Sequence, residues 1–282
     1  GEWLKYRMHY GLVNAGFATV DLQSTTYNDK EVYHVIGKGW TTGVTMTDIN
    51  ADGWLDIYVC KSGKGKAKNR QNQLFINNKN GTFTESAKQY GLNFDGYSTQ
   101  ASFFDFDKDG DLDMYLVNHR PDFQNSGTLN MRIEASFSEF SSDKLFRNDG
   151  NFFTEVTHKA GIVNKAWGLS ASIGDFNNDN WPDVYVCNDF LSPDMLYINN
   201  KNGTFSNQIL DRINHISFSS MGSDYADINN DLLPDLFVLE MASEDHIRSK
   251  KNMATMSTRN FNNLVEKKYH HQYMVNTLQL NN

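Results

Sequence analysis

Proline and cysteine are scarce in this chain, with 4 and 2 among 282 residues. Two cysteines, Cys60 and Cys187, are too few for a disulfide framework, and neither stands in a CxxC pair or a Cys/His cluster with zinc spacing. Long apolar runs are missing too: no stretch approaches the ~18 residues that mark a membrane-spanning helix. The opening GEWLKYR lacks the charged-then-apolar order of a signal peptide, so no transmembrane segment is expected. No run of Lys and Arg is long enough to follow a phosphate backbone, and the formal charge is −8; no nucleic acid or anionic membrane is expected as a partner. GxSxG, HExxH and phosphate-loop motifs do not occur.

What the chain has is Asn and Asp in quantity, 20 Gly and 13% aromatics. Asn, Asp and Gly tolerate the backbone angles of tight turns, so this mixture predicts many short strands joined by polar turns, an all-β fold. Self-comparison gives the organisation. DINADGWLD runs from Asp48 to Asp56, DFDKDGDLD from Asp105 to Asp113, DFNNDNWPD from Asp175 to Asp183 and DINNDLLPD from Asp227 to Asp235; successive starts lie 57, 70 and 52 residues apart. A run of four apolar residues follows each loop (IYVC, MYLV, VYVC, LFVL), short and β-branched enough to read as a strand buried on both faces. Cys60 and Cys187 fall where Val117 and Leu239 stand in the other copies, and are therefore expected as buried, reduced thiols.

Other features recur with the loops. An aromatic precedes each by eight or nine residues: Trp40, Tyr97, Trp167 and Phe218. A further segment follows each: NQLFINN, DKLFRND, DMLYINN and NTLQLNN, the first three continuing into NGTFTE, NFFTEV and NGTFSN. Each repeat thus supplies about four strands. Such a unit cannot bury both faces alone, and radial stacking of copies gives a β-propeller, here of about four blades and possible as part of a larger ring.

Four carboxylates in so short a loop repel one another unless a cation lies among them. Oxygen donors at positions 1, 3, 5 and 9, with a main-chain carbonyl at 7, suit a hard, geometrically tolerant ion, Ca²⁺ rather than zinc or copper. An EF-hand is excluded because its position-12 Glu is replaced by Val59, Leu116, Val186 or Val238. The expected donors are Asp48, Asn50, Asp52, Trp54 and Asp56; Asp105, Asp107, Asp109, Asp111 and Asp113; Asp175, Asn177, Asp179, Trp181 and Asp183; and Asp227, Asn229, Asp231, Leu233 and Asp235, for up to four Ca²⁺. Loop two alone has Asp at position 3 and should bind most firmly. Position 6 favours Gly for its left-handed backbone; Gly53 and Gly110 comply, Asn180 is tolerated, and Leu232 marks loop four as the copy expected to be distorted or weak. The ions are read as structural, not catalytic.

These loops, with MYLVN and QLFINNKNGTFTE after them, resemble FG-GAP and VCBS-type calcium-binding propeller repeats, the blade design of the integrin α-subunit head. The wording YSTQASFFDFDKDGDLDMYLVNH and SNQILDRINHISFSSMGSDYADINNDLLPDLFVLEM is further similar to large Bacteroidetes surface proteins that couple such repeats to an ASPIC/UnbV-type module. The resemblance covers about residues 40–282 and implies a secreted or cell-surface calcium-binding module with the ligand role on the loop residues named above. It departs from that pattern in stopping within a unit, at NTLQLNN, which reads as a fragment. Residues 1–39 match no repeat; their alternation and YNDKE turn predict three or four strands of a different origin, giving domains 1–39 and 40–282.

The connections at 61–71, 118–142, 188–193 and 240–275 vary most and should share one face, where a protein or glycan ligand would bind, in a setting of surface anchoring or larger assembly. The longest is rich in helix formers and predicts a helix. His270 and His271 are neighbours that point apart and lack a third ligand. His119, Asp189 and Glu240 also fall on this face. Two functions are carried forward: a non-catalytic adhesion or binding module, and a propeller-scaffold enzyme acting on polysaccharide with those residues as acid and base.

Overall fold

The computed structural model describes the backbone of residues 3–10, 13–27 and 30–40, and the full structure of 43–63, 66–121, 139–150, 152–190, 192–241, 247 and 258–281, the Asn260 side chain excepted. Residues 122–138 of the connection expected at 118–142, and 242–246 and 248–257 of that expected at 240–275, lie outside these residues. The fold is all-β, with propeller blades built on the repeat.

Blade one is β4 (Val44–Thr47), β5 (Asp56–Val59), β6 (Gln73–Asn77) and β7 (Phe83–Glu85), hydrogen-bonded in that order and antiparallel. Blade two repeats it with β8 (Ser98–Phe104), β9 (Asp113–Asn118), β10 (Lys144–Asn148) and β11 (Phe153–Glu155). Blade three uses β12 (Trp167–Gly174), β13 (Asp183–Asp189), β14 (Met195–Asn199) and β15 (Phe205–Asn207). Among the described residues blade four shows three strands. After β16 (Ile216–Ser217) come β17 (Ser220–Ala226) and β18 (Asp235–Glu240), and the sheet ends on β20 (Thr277–Gln279). β19 (Gln272–Tyr273) pairs β16 in parallel. Every acidic loop joins the first strand of its blade to the second.

The apolar runs become the second strands. All residues of β9 and β13 are buried, those of β5 alternate between buried and half-buried, and Phe237 of β18 is exposed. The reason is stacking: three apolar clusters form, one between each successive pair of blades. Blade one gives Tyr58, Cys60 and Leu74 against Ala101, Met114, Leu116 and Phe146 of blade two. Blade two presents Phe106, Tyr115, Val117 and Leu145 to Ala171, Val184, Val186 and Tyr197. Blade three presents Tyr185, Cys187 and Leu196 to Leu236 and Val238. Cys60 and Cys187 are the buried free thiols the repeat predicted, and burial pushes both thiols up, away from the reactive thiolate.

The first strands neighbour one another in chain order, and polar side chains stitch them together. Thr45 Oγ1 donates to the Ala101 carbonyl (2.7 Å), and Gln100 grips both the N–H (3.0 Å) and the carbonyl (3.2 Å) of Ala171. Ser172 Oγ donates to the Ser223 carbonyl (3.0 Å). Among the described residues no comparable contact joins β17 back to β4.

Residues before blade one form a separate antiparallel sheet of β1 (Trp3–Tyr10), β2 (Val13–Tyr27) and β3 (Lys30–Trp40). The expected aromatic Trp40 is thus the last residue of β3 rather than part of blade one. Helices of more than three residues are few among the described residues: α1 (Ala87–Tyr90), α2 (Ile209–Arg212) and α3 (Thr258–Glu266). The last is the helix expected in the longest connection. Its Leu264 is buried and its Phe261 packs on His271 and Tyr273. No helix among the described residues is long and apolar enough to cross a membrane.

Candidate metal centre

Each acidic loop closes on its own first residue. In loop two the Asp109 and Gly110 N–H groups donate to the two oxygens of Asp105 (3.1 and 3.0 Å), and the Asp111 N–H donates to Asp109 Oδ1 (2.9 Å). The same set recurs on Asp48 and Asp52, on Asp175 and Asp179, and on Asp227 and Asp231. Position 6 is left-handed throughout: φ is +86° at Gly53, +99° at Gly110, +66° at Asn180 and +70° at Leu232. The expectation that Leu232 distorts loop four is therefore corrected. The loop keeps the common hydrogen bonds and left-handed turn, with the Leu232 side chain 88% exposed to solvent.

The ninth-position aspartates, Asp56, Asp113, Asp183 and Asp235, are almost wholly buried. One oxygen of each accepts the N–H of loop position 2 and the other accepts the N–H of an Asn at the end of the third strand. For Asp113 these donors are Phe106 (3.0 Å) and Asn148 (2.8 Å), and Asn77, Asn199 and Asn281 play the part of Asn148 elsewhere. In the first three blades that Asn also donates its amide to the carbonyl of loop position 8. This staple escaped the sequence reading, although the recurring Asn of INN, RND, INN and LNN was its visible signal. Burial pushes Asp113 up to about 7 and Asp183 up to about 6 against the opposing main-chain hydrogen bonds.

Loop two brings three carboxylates together: one oxygen from each of Asp105, Asp107 and Asp109 lies within 4.8 Å of the others. Two oxygens bound to one Ca²⁺ at about 2.4 Å are at most about 5 Å apart, so the cluster has the span of a shared ion. Asp107 Oδ1 is buried and accepts no hydrogen bond. Burial, then the charges of Asp109 and Asp105, raises the Asp107 pKa. A buried oxygen without a hydrogen bond, on a carboxylate opposed only by the Asp109 N–H and the charge of Arg147, beside two further carboxylates fits a hard cation.

The other loops carry internal relief. Lys79 Nζ lies 3.4 Å from Asp52 Oδ2 and Lys201 Nζ 3.2 Å from Asp179 Oδ2, whereas the matching place in blade two is Gly150. In loops three and four the Asn177 and Asn229 amide nitrogens donate to Asp179 and Asp231 (both 2.8 Å), while their oxygens accept the N–H of the same aspartates (3.1 and 3.0 Å). Asn50 Oδ1 already accepts the Asp52 N–H (3.3 Å). The main-chain donors expected at Trp54, Asp111, Trp181 and Leu233 lie in the turn whose N–H groups bind position 5.

On the opposite face the acid–base candidates are already engaged. Glu240 accepts the Phe218 and Ser219 N–H groups (both 2.8 Å) and the Met241 N–H (3.0 Å). The His119 ring meets the Gly168 carbonyl (3.2 Å), and burial lowers its pKa. His270, 4% exposed, bonds the Ile213 carbonyl (2.8 Å) and the His271 N–H (2.8 Å), which satisfies both ring nitrogens. The expected aromatics Tyr97 and Trp167 serve as platforms: Arg70 lies over the first (4.3 Å) and buried Arg120 over the second (3.7 Å).

Residues 48–116 and 175–238 match the FG-GAP-like repeat family, and all four acidic loops fall inside the two matched stretches. The chain therefore carries FG-GAP-like repeats. No curated protein matches it.

Proposed function

We propose that the repeats form a calcium-stabilised, non-catalytic binding module of a secreted or cell-surface protein. The observation that carries the calcium reading is loop two, where three carboxylates converge around a buried, unbonded Asp107 oxygen. Asp105, Asp107, Asp109 and Asp113 would hold the ion there, and the equivalent residues of the other loops would hold up to three more. When bound, Ca²⁺ supplies charge neutralisation that lets the turn between the first two strands of a blade close. A binding role for the opposite face, toward protein or glycan, is supported by the length and variety of its connections.

A non-catalytic reading is favoured over polysaccharide cleavage because Glu240 has both oxygens committed to main-chain N–H groups, so it is poorly placed to exchange a proton with substrate. The separate sheet of β1 to β3 supports reading residues 1–39 as a β segment of different origin. Kinship with the Bacteroidetes proteins bearing an ASPIC/UnbV-type module is supported by the wording of the repeats alone.

Isothermal titration with CaCl₂ tests the central claim. Saturable binding with the tightest site abolished by Asp107→Ala is the expected result. Absence of heat above dilution, with no change in melting temperature on adding a chelator, would overturn it.

A further inference from the structure

A cleft of about 380 Å³ opens on blade one, lined among others by Lys61, Lys68 and Lys88 with the amides of Gln71, Gln73 and Asn93. Three lysines line one opening in a chain of formal charge −8. Among the described residues none of the three makes an ion pair. The carboxylate in the lining, Glu85, is held in place through one oxygen: its Oε1 accepts the Ala87 N–H (3.1 Å) and the Leu74 N–H (3.4 Å).

Blade two shows what the same place holds when it is filled. The registers align Gln73 with Lys144, since they face Val59 and Leu116, and Glu85 with Glu155, since they face Phe75 and Phe146. Counting on from those glutamates, Lys88 corresponds to His158. There Glu139, arriving from the connection before β10, sets its Oε2 2.7 Å from Lys144 Nζ and 3.6 Å from His158 Nε2. The Lys144 hydrogen bond holds the Glu139 carboxyl below its ordinary range. Blade one has Gln73 in place of Lys144 and Lys88 in place of His158, keeps Glu85 in place of Glu155, whose Oε1 lies 3.3 Å from Lys144 Nζ, and brings no carboxylate from its shorter connection.

We infer that the blade-one cleft binds an external carboxylate, and that the ligand is a hexuronic acid residue, free or within an acidic oligosaccharide. The lysines supply charge-assisted hydrogen bonds to the carboxylate, as Lys144 does to Glu139. Carboxamides both donate and accept, which matches the paired needs of sugar hydroxyls better than those of an acidic peptide side chain. The volume lies within the range of small-ligand sites. The inference goes beyond the calcium reading and does not depend on it.

Two-dimensional amide NMR of the whole chain, titrated with sodium galacturonate, provides the test. Galactose and ionic-strength-matched sodium chloride are the controls, and each titration is run with and without CaCl₂, so that failure of the metal sites and failure of this cleft are told apart. Saturable shifts at residues 61, 68, 71–73 and 88 are expected with galacturonate alone. Lys61→Gln and Lys88→Gln should each weaken binding roughly tenfold without changing the melting temperature. Equal shifts with galactose or chloride, unaltered affinity in both variants, or displacement by a tetraglutamate peptide at lower concentration would each overturn the assignment.

Discussion

Leu232 is an L-residue at φ +70° whose side chain is 88% exposed, so nothing it touches offsets its backbone strain. A left-handed conformation costs such a residue on the order of 1–2 kcal/mol, and Gly53 and Gly110 show that the turn accepts glycine at this point. Leu232→Gly should therefore raise stability by roughly 1 kcal/mol, read as a higher urea midpoint with unchanged slope. A second residue-scale prediction concerns Asp143 and Asp194, fully buried carboxyls that burial pushes up to about 7. Each caps the end of a second strand, accepting the Asn118 N–H (2.7 Å) or the Asn188 N–H (2.8 Å), and each takes a tyrosine hydroxyl, from Tyr115 or Tyr185. Because the folded value exceeds the unfolded one, the native state holds these protons more tightly. Stability from this source is complete below the unfolded carboxylate range near pH 4 and is lost as pH rises toward about 7. Blade one carries Asn72 at this position, its carboxamide capping the Lys61 N–H and meeting the Tyr58 hydroxyl. Asp143→Asn should thus flatten the fall in melting temperature between pH 5 and 8, measured in saturating calcium; an unchanged slope would refute the assignment. Nothing in the sequence distinguished Asp143 from an ordinary turn residue, because its burial arises from the neighbouring blade, which supplies the Asn164 amide at 2.6 Å.

At the scale of strands, the repeat gives four chemically similar positions very different surroundings. Leu74, Leu145 and Leu196 occupy one place in the third strand of blades one to three and are buried by the blade that follows. Leu278 has the same place in β20, is 44% exposed, and has no following blade against it among the described residues. Phe237 likewise stands where Tyr58, Tyr115 and Tyr185 are buried. Truncating a buried leucine leaves a cavity and costs about 2–5 kcal/mol, while an exposed one costs well under ~1 kcal/mol. Leu145→Ala should therefore lower the denaturation midpoint sharply and Leu278→Ala hardly at all; equal losses would mean that blade four is covered. The strands and their order were legible in the sequence because each apolar run is bounded by a loop whose aspartates recur at a fixed spacing. The Asn staples were not, since they depend on which residues meet across the sheet.

For the molecule as a whole, charge and architecture converge on the same loops. Four Ca²⁺ would offset the formal −8 in full. A site filled at ten times its dissociation constant adds roughly 1.4 kcal/mol to stability, so several together contribute on the scale of a typical domain's net stability of about 5–15 kcal/mol. The loops should nevertheless release the ion in sequence. Loop two has four ligand carboxylates and Gly150 where a lysine stands elsewhere, while Lys79 and Lys201 already neutralise one carboxylate each in loops one and three. A bound cation must displace those ammonium groups, which lowers its net gain. Chelator titration followed by the melting temperature should show loop two emptying last. Lys79→Ala and Lys201→Ala should tighten their own loops, and Gly150→Lys should weaken loop two on the order of tenfold, because it adds an ammonium to carboxylates that now feel only the more distant charge of Arg147. If Gly150→Lys leaves the tightest calcium constant untouched, the lysines are bystanders, and the ranking of the loops must rest on Asp107 alone.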